Sequence, residues 1–362
     1  MTRFDMKFQD AGRNYGLDVL RVLAIYMVVQ IHTGEFYYIA KDGTVLQGMD
    51  AYWVGWYNSL FRSCVPLFVM ISGFFLFPVK DVNTFYKKRL GRVVIPFVIW
   101  CILYAFYQFF LGQVNLETAF TNILRIPVNF GTEIGHLWYV YMLIGLYLFA
   151  PVISPWIESA SEKNIRFYLV LWAIAMTMPY IHIVFPEVLG EAYWNKTPLL
   201  YYFSGFMGYA VLAFYIKRFF LLPFAGQYVT AVFLIVAGYA ITAIGFIQKL
   251  PTAPNVRLLE LTWGFETINV AMITAGLFLI IKNIKTAAPA SAFNSLLFDV
   301  SRKSYGIYLG HIMVLNAVHS LFDKLFTSAA IKIPVIAVIT FITTYVIIKL
   351  LSYLPKSKYL IG

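Results

Sequence analysis

Four ionisable residues stand inside one apolar run, "LDVLRVLAIYMVVQIHTGEF": Asp18, Arg21, His32 and Glu35. A charge in the middle of a membrane-spanning helix costs a few kcal/mol even on lenient insertion scales, so a span that keeps four of them is under another demand. His32 is of the one type that can take and return a proton near neutral pH. Glu35 follows one turn later and can hold the imidazole in one tautomer, as the carboxylate does in a catalytic triad, or serve as an interfacial carboxylate. At about 100° per residue, His32 falls about 20° from Arg21, Glu35 about 40° to the other side and Asp18 about 60° away, all within one arc of about 100°. Snorkelling toward the two surfaces would need no such alignment. A shared stripe of intramembrane charge faces a protein interior or a wet cavity.

Spacing along the helix says more. Arg21 and His32 lie about 16 Å apart by helix rise. A cation at one mouth and an imidazole deep in the bilayer suit the two ends of a long anionic ligand, and acyl-coenzyme A has that form, with phosphates at one end and a thioester at the other. Arg89 and Arg92, in "YKKRLGRVVIPF", project from one helix face and their forks match phosphate oxygens. The same string arises from the ordinary positive-inside bias. Arg62, just within the outer boundary of the second span, either snorkels outward or faces the cavity to stabilise a developing oxyanion. His311, read in the inner half of the ninth span near Tyr305 and Tyr308, is a candidate along the donor path or an interhelical hydrogen-bonding residue. Glu266, in the outer part of the eighth span, is a candidate for the acceptor pocket. His136, His182 and His319 fall near outer span ends and read as interfacial or solvated. There is no nucleophile elbow, no Gly-rich nucleotide loop and no zinc-ligand spacing, so no metal is expected.

These residues need a scaffold, and composition names its class. The chain of 362 residues is 60% hydrophobic and 12% charged, with a mean hydropathy of +0.73. A soluble domain carries about a quarter charged residues. The expected fold is all-α and polytopic, one membrane domain of about ten spans at roughly 17–39, 59–79, 93–112, 135–157, 167–185, 199–216, 226–248, 261–281, 304–322 and 332–352. Pro66 and the Ser72-Gly73 pair in the second span allow a kink and a close backbone approach. Lys and Arg crowd the segments on the side of the N-terminus, which places both termini in the cytoplasm. Segments 80–92 and 281–303 are then the main inner loops, and 41–58 and 113–133 the main outer ones. The net charge of +11 is topological on this reading and does not imply nucleic acid. Cys64 and Cys101 lie in apolar runs and form no disulfide framework. The first run has no obvious small-residue cleavage site and reads as a retained span.

At these residues the chain resembles the integral-membrane acyltransferase 3 family. The features that carry the likeness are Arg21 and His32 within "LDVLRVLAIYMVVQIH", the second-span "RSCVPLFVMISGFFL" and Arg89-x-x-Arg92. Weaker echoes are "GHLWYVYMLIGLYLFAPVI" and "SYGIYLGHIMVL". The resemblance implies a ten-helix domain in the cell membrane that moves an acyl group, usually from cytoplasmic acetyl-coenzyme A, to a hydroxyl of an extracytoplasmic glycan. His32 matches the family's catalytic histidine, Arg21 its partner, and Arg89 with Arg92 its donor-binding pair. The length is like that of stand-alone members that acetylate surface polysaccharides. Acetyl transfer by direct hydroxyl attack or through an acetyl-His32 intermediate both fit. A glycan or small-molecule transporter is the rival class, since it too uses buried charges in many spans. The oligomeric state is left open.

Overall fold

The computed structural model describes residues 14–220, 223–284 and 291–362. Among these the chain is built from helices, with two isolated bridges, Ile39 to Val45 and Ala192 to Asn195, and no strand. Helix α1 (Tyr15–Glu35) starts at Asn14, whose side chain accepts the Leu17 N–H and so satisfies one of the orphan donors of a helix start. Helices α2 (Met49–Phe61) and α3 (Cys64–Leu76) form one passage interrupted at Arg62-Ser63. Pro66 sits in the first turn of α3, where a missing N–H costs nothing. Helix α4 (Val82–Phe110) is capped by Asp81. The Asn83 and Thr84 N–H groups donate to Asp81, and the hydrogen bonds from Thr84 hold its carboxyl below the usual carboxylate range.

The short α5 (Leu116–Leu124) and α6 (Phe130–Glu133) lead into α7 (Trp138–Ser159). Next come α8 (Glu162–Ala175), α9 (Met178–Val184) and α10 (Met207–Arg218). Helix α11 (Phe224–Lys249) is followed by the one-turn α12 (Val256–Leu259) and by α13 (Ile268–Ile281). Helices α14 (Ala292–Phe322), α15 (Ala329–Leu351) and α16 (Lys358–Ile361) close the order.

Among the described residues seven helical passages are long and apolar enough to cross a membrane, and eight if the bent pair Val256–Trp263 and Ile268–Ile281 is one span. The two other expected spans, 199–216 and 304–322, coincide with α10 and α14, which do not meet the same test. Helix α10 has 12 residues, or about 18 Å of rise, short of a hydrocarbon core. Helix α14 has 31 residues but is not among the passages apolar enough to cross. Several expected loops are helical: α2 occupies part of 41–58, α4 starts at Val82 within 80–92, α5 and α6 fill much of 113–133, and α14 starts at Ala292 within 281–303. Those stretches carry charges, so hydropathy cuts them from the span although the backbone continues. Cys64 and Cys101 are free and buried.

Packing depends on small residues where helices cross. A Cβ on Gly73 of α3 would lie 2.5 Å from the Ala210 Cα of α10. One on Gly238 of α11 would lie 2.6 Å from the Asn269 carbonyl oxygen of α13. Only glycine admits those approaches. Helix α14 packs along α1 and α15, and α1 also packs on α2 and α3. This places α1, the helix with the charged stripe, in the middle of the bundle, where most of its residues are buried.

Candidate active site

The C-terminal end of α1 is fastened from two sides. Asn58 of α2 donates to the Ile31 carbonyl at 3.0 Å, and its side chain fills the space a Cβ on Gly34 would take. Beyond the helix, Tyr37 donates to Asp323 at 3.0 Å and Phe36 stacks on His319, ring centroids 3.8 Å apart. On this fixed turn, His32 Nδ1 meets Glu35 Oε1 at 2.9 Å. A carboxylate only accepts, so the ring nitrogen donates, and in the neutral ring Nε2 carries the lone pair. Glu35 thus selects the tautomer in which the other nitrogen is free to act as a base.

His32 and Glu35 line a cavity of about 620 Å³ together with Arg62, His136, Trp138, Tyr139, Glu260, Phe265 and Tyr308. That volume is in the range of small-molecule sites. Arg62 is 7% exposed and pairs with Glu260 at 3.6 Å. Its guanidinium lies 4.4 Å from the Trp263 ring centroid. Tyr38 donates to the same Glu260, and Trp263 is itself stacked on Phe246. The cation is therefore held against the cavity wall, where it can meet negative charge without reorganising.

Two more histidines converge on His32. The His136 ring centroid is 6.2 Å from that of His32, the His311 centroid 5.3 Å, and the two are 4.8 Å from each other. His136 is 3% exposed, which corrects its sequence reading as interfacial. It precedes α7 in a turn made by Gly135, whose φ of +95° favours glycine and sends the chain inward. Tyr308 donates to the His136 carbonyl, and the His136 ring Nε2 contacts the Leu309 carbonyl at 3.4 Å. His311 is also corrected. It lies fully buried beside His32, not toward Arg21, because its helix begins at Ala292 and not near 304. Its Nδ1 donates to the Tyr308 carbonyl at 2.6 Å. His182 pairs with Glu191, and His319 packs on Phe36 with Asp323 3.6 Å away; neither lines the cavity.

The Arg21 end is separate. Arg21 lies 3.8 Å from Asp18 and donates to Ser301 at 3.4 Å, while Ser301 donates to Asp18. Ser301 is ten residues before His311 on α14, as Arg21 is eleven before His32 on α1, so the two helices run side by side in parallel. Arg89 is half-buried and Arg92 exposed on α4, and neither lines the His32 cavity. Glu266 does not line it either: it is exposed, its Oε1 3.4 Å from where a Cβ on Gly205 would stand, while its neighbour Phe265 does line the cavity. Sequence reasoning missed Glu260 and Tyr38, and the one available signal was the unexplained need of a buried Arg62 for a counter-charge. Among the described residues no group of three or more His, Cys, Asp or Glu is placed to hold a metal ion.

A multi-pass helical membrane protein with a carboxylate-steered histidine on the wall of a cavity defines a class that can do acid–base transfer chemistry. The comparisons give the family: the acyltransferase domain model matches residues 14–352, and the chain belongs to this integral-membrane acyltransferase family. Curated relatives include a protein named amino-acid racemase from Enterococcus faecalis, 30% identical over 135 residues, which is 35% of this chain and 18% of that protein. Another is a serine/alanine racemase from Enterococcus gallinarum, 25% identical over 138 residues, 36% of this chain and 18% of that protein. The matched stretch is thus under a fifth of either relative. No solved structure matches the chain.

Proposed function

We propose that the chain is an O-acyltransferase of the cell membrane that takes an acetyl or other acyl group from cytoplasmic acyl-coenzyme A and places it on a hydroxyl of an extracytoplasmic glycan. The observation that carries this is His32 held through Nδ1 by Glu35 at 2.9 Å on the wall of a cavity that also holds Arg62. His32 Nε2 takes the acceptor's proton as the hydroxyl attacks the thioester, Arg62 stabilises the oxyanion, and the proton passes to the departing thiolate of coenzyme A. Arg21, Arg89 and Arg92 hold the donor's phosphates at the other mouth. Both termini are cytoplasmic on this reading, which fits the distribution of Lys and Arg.

The test is acetyl transfer in proteoliposomes loaded with acetyl-coenzyme A, with His32→Ala beside the unchanged chain and surface glycans of expressing cells analysed for an acetyl mass difference. Loss of transfer with donor binding kept supports the assignment. Full activity in His32→Ala sinks it, and glycan movement without any acyl donor would make the chain a transporter. Orientation has its own check: cysteines placed in 41–48 should react with an impermeant maleimide in intact cells and cysteines in 82–86 should not. The reverse pattern would put the arginines on the side without coenzyme A.

A further inference from the structure

The cavity around His32 has a floor about one helical turn below the imidazole. Val28 stands four residues before His32 on α1, about 6 Å nearer the Arg21 end by helix rise. Tyr308 stands three residues before His311 on α14, and Tyr139 three after His136, on the first turn of α7. Val65 of α3 completes the layer. All four line the cavity, and none is more than 7% exposed. The rings close on one another. The Tyr139 and Tyr308 centroids are 5.5 Å apart, and Phe68 of α3 lies 6.3 Å from Tyr139. Tyr305, one turn further from His311, is stacked against Tyr308 at 6.2 Å. Arg21 lies beyond this layer and does not line the cavity, whereas the exposed Lys41, past the other end of α1, does.

Two of these rings are tied. Tyr308 donates to the His136 carbonyl and Tyr305 to the Val93 carbonyl at 2.8 Å. Among the described residues the Tyr139 hydroxyl has no hydrogen-bond partner, and it is not one of the fully buried orphans. Arg21 and Tyr147 both act on it electrostatically, so it faces the Arg21 side of the layer. A bonded hydroxyl must give up its partner before its ring can turn, and an unbonded one need not. The floor also has a physical purpose. An imidazole that takes up protons in a cavity wet from one side needs a barrier to the other, or protons leak past it. We propose that Tyr139 is the gate of the donor path: its ring closes the floor as seen here, and the pantetheine arm of the donor turns it aside to bring the thioester to His32. This rests on the transferase reading and adds a moving part to it. Tyr139 governs access, while His32, Glu35 and Arg62 keep the chemistry.

The experiment has two arms. In the first, Ile312→Cys places a thiol on the half-buried cavity wall above the floor. Cys64 and Cys101 are buried, so the chain without the added cysteine is the blank. A charged, membrane-impermeant methanethiosulfonate is applied to the outer face of cells or to the inner face of inverted vesicles, with no donor present. Modification should be fast from outside and slow from inside. Adding Tyr139→Ala should raise the inner rate about tenfold or more, as for a barrier lowered by one large side chain, and Tyr139→Phe should not. Tyr139→Leu serves where Tyr139→Ala does not fold. In the second arm, coenzyme A disulfide is supplied on the inner face to Tyr139→Cys. The cysteine thiolate attacks the disulfide, one coenzyme A is joined to the chain and the other leaves as its thiolate. Mass spectrometry should find that adduct, and acetyl-coenzyme A should compete with it. Equal modification of Ile312→Cys from both faces overturns the floor. An inner rate that neither Tyr139→Ala nor Tyr139→Leu raises, or no coenzyme A adduct on Tyr139→Cys, overturns the gate. Acetyl transfer by the unchanged chain, measured in parallel, keeps the transferase reading standing in those cases. No transfer from the unchanged chain overturns that reading, and the gate's donor role with it.

Discussion

At the N-terminal end of α1, Asp18, Arg21 and Ser301 bind one another. At its C-terminal end His32 is held through one nitrogen by Glu35, and Arg62, His136 and His311 around it each keep a buried polar atom without a partner. Both ends belong to one charged stripe with the same helical spacing. The first is a closed network whose charges offset each other, which lets ionisable groups sit in an apolar bundle. The second is open. Its unmet hydrogen-bonding capacity costs stability, and such costs persist where a ligand recovers them. The comparison separates an end whose ionisable groups already have partners within the protein from one that keeps unpartnered polar atoms beside a cavity.

The largest effect expected from breaking this contrast is at His32. His32→Ala should lower acyl transfer by about a hundredfold or more, the range for loss of a general base, with little change in donor affinity. The readout is initial rate at equal expression with donor binding followed by calorimetry. A comparable loss of rate on Asp18→Asn would erase the distinction between the two ends.

Next is Glu35. Glu35→Gln keeps the shape but loses the charge that steers the His32 tautomer, and the rate should fall about tenfold, as for one hydrogen bond to a charged group. The loss should lie in kcat and not in KM for the donor. An unchanged kcat would return Glu35 to the interfacial role.

The other end is sharpened by the arginines of α4. Changing Arg89 and Arg92 together to Gln should weaken acetyl-coenzyme A binding several-fold in detergent calorimetry, each phosphate pair at a partly exposed site contributing about 1 kcal/mol or less. Lys87→Gln with Lys88→Gln should not. Equal binding in both double variants would remove α4 from the donor site.

The smallest effect concerns the strap that seats Phe36 and Tyr37. Burial alone would raise the Asp323 carboxyl, but hydrogen bonds from Lys332 and Tyr37 and the charges of Lys332 and His319 hold it below the usual carboxylate range. A folded value below the unfolded one means the stabilisation is complete above the unfolded pKa, about 3.9, and is lost as pH falls through the folded value. Thermal midpoints in detergent should therefore drop between pH 5 and pH 3 more for the unchanged chain than for Asp323→Asn. Parallel pH dependence in both would show that Asp323 does not fasten this turn.

Much of the site could be read along one helix. His32, Glu35, Arg21 and Asp18 lie within eighteen residues of α1, and a helix fixes which of them share a face whatever surrounds it. The helical class and the membrane setting followed from composition for a similar reason: lipid leaves every backbone group to be satisfied within the segment, so long apolar runs become helices. What lies across helices was not legible. His136 and His311 were placed by their distance from apparent span ends, and that measure failed because α14 runs far past its apolar part and because the Gly135 turn carries His136 inward. Glu260 is far from Arg62 in sequence, and nothing local marks the pair. Residue types and a 3.6-residue period determined the fold class, the charged stripe and the candidate base. Which distant side chains meet that base, which polar atoms stay unpaired and how much space is left between them were decided by helix packing, because those depend on long-range contacts that no local spacing encodes.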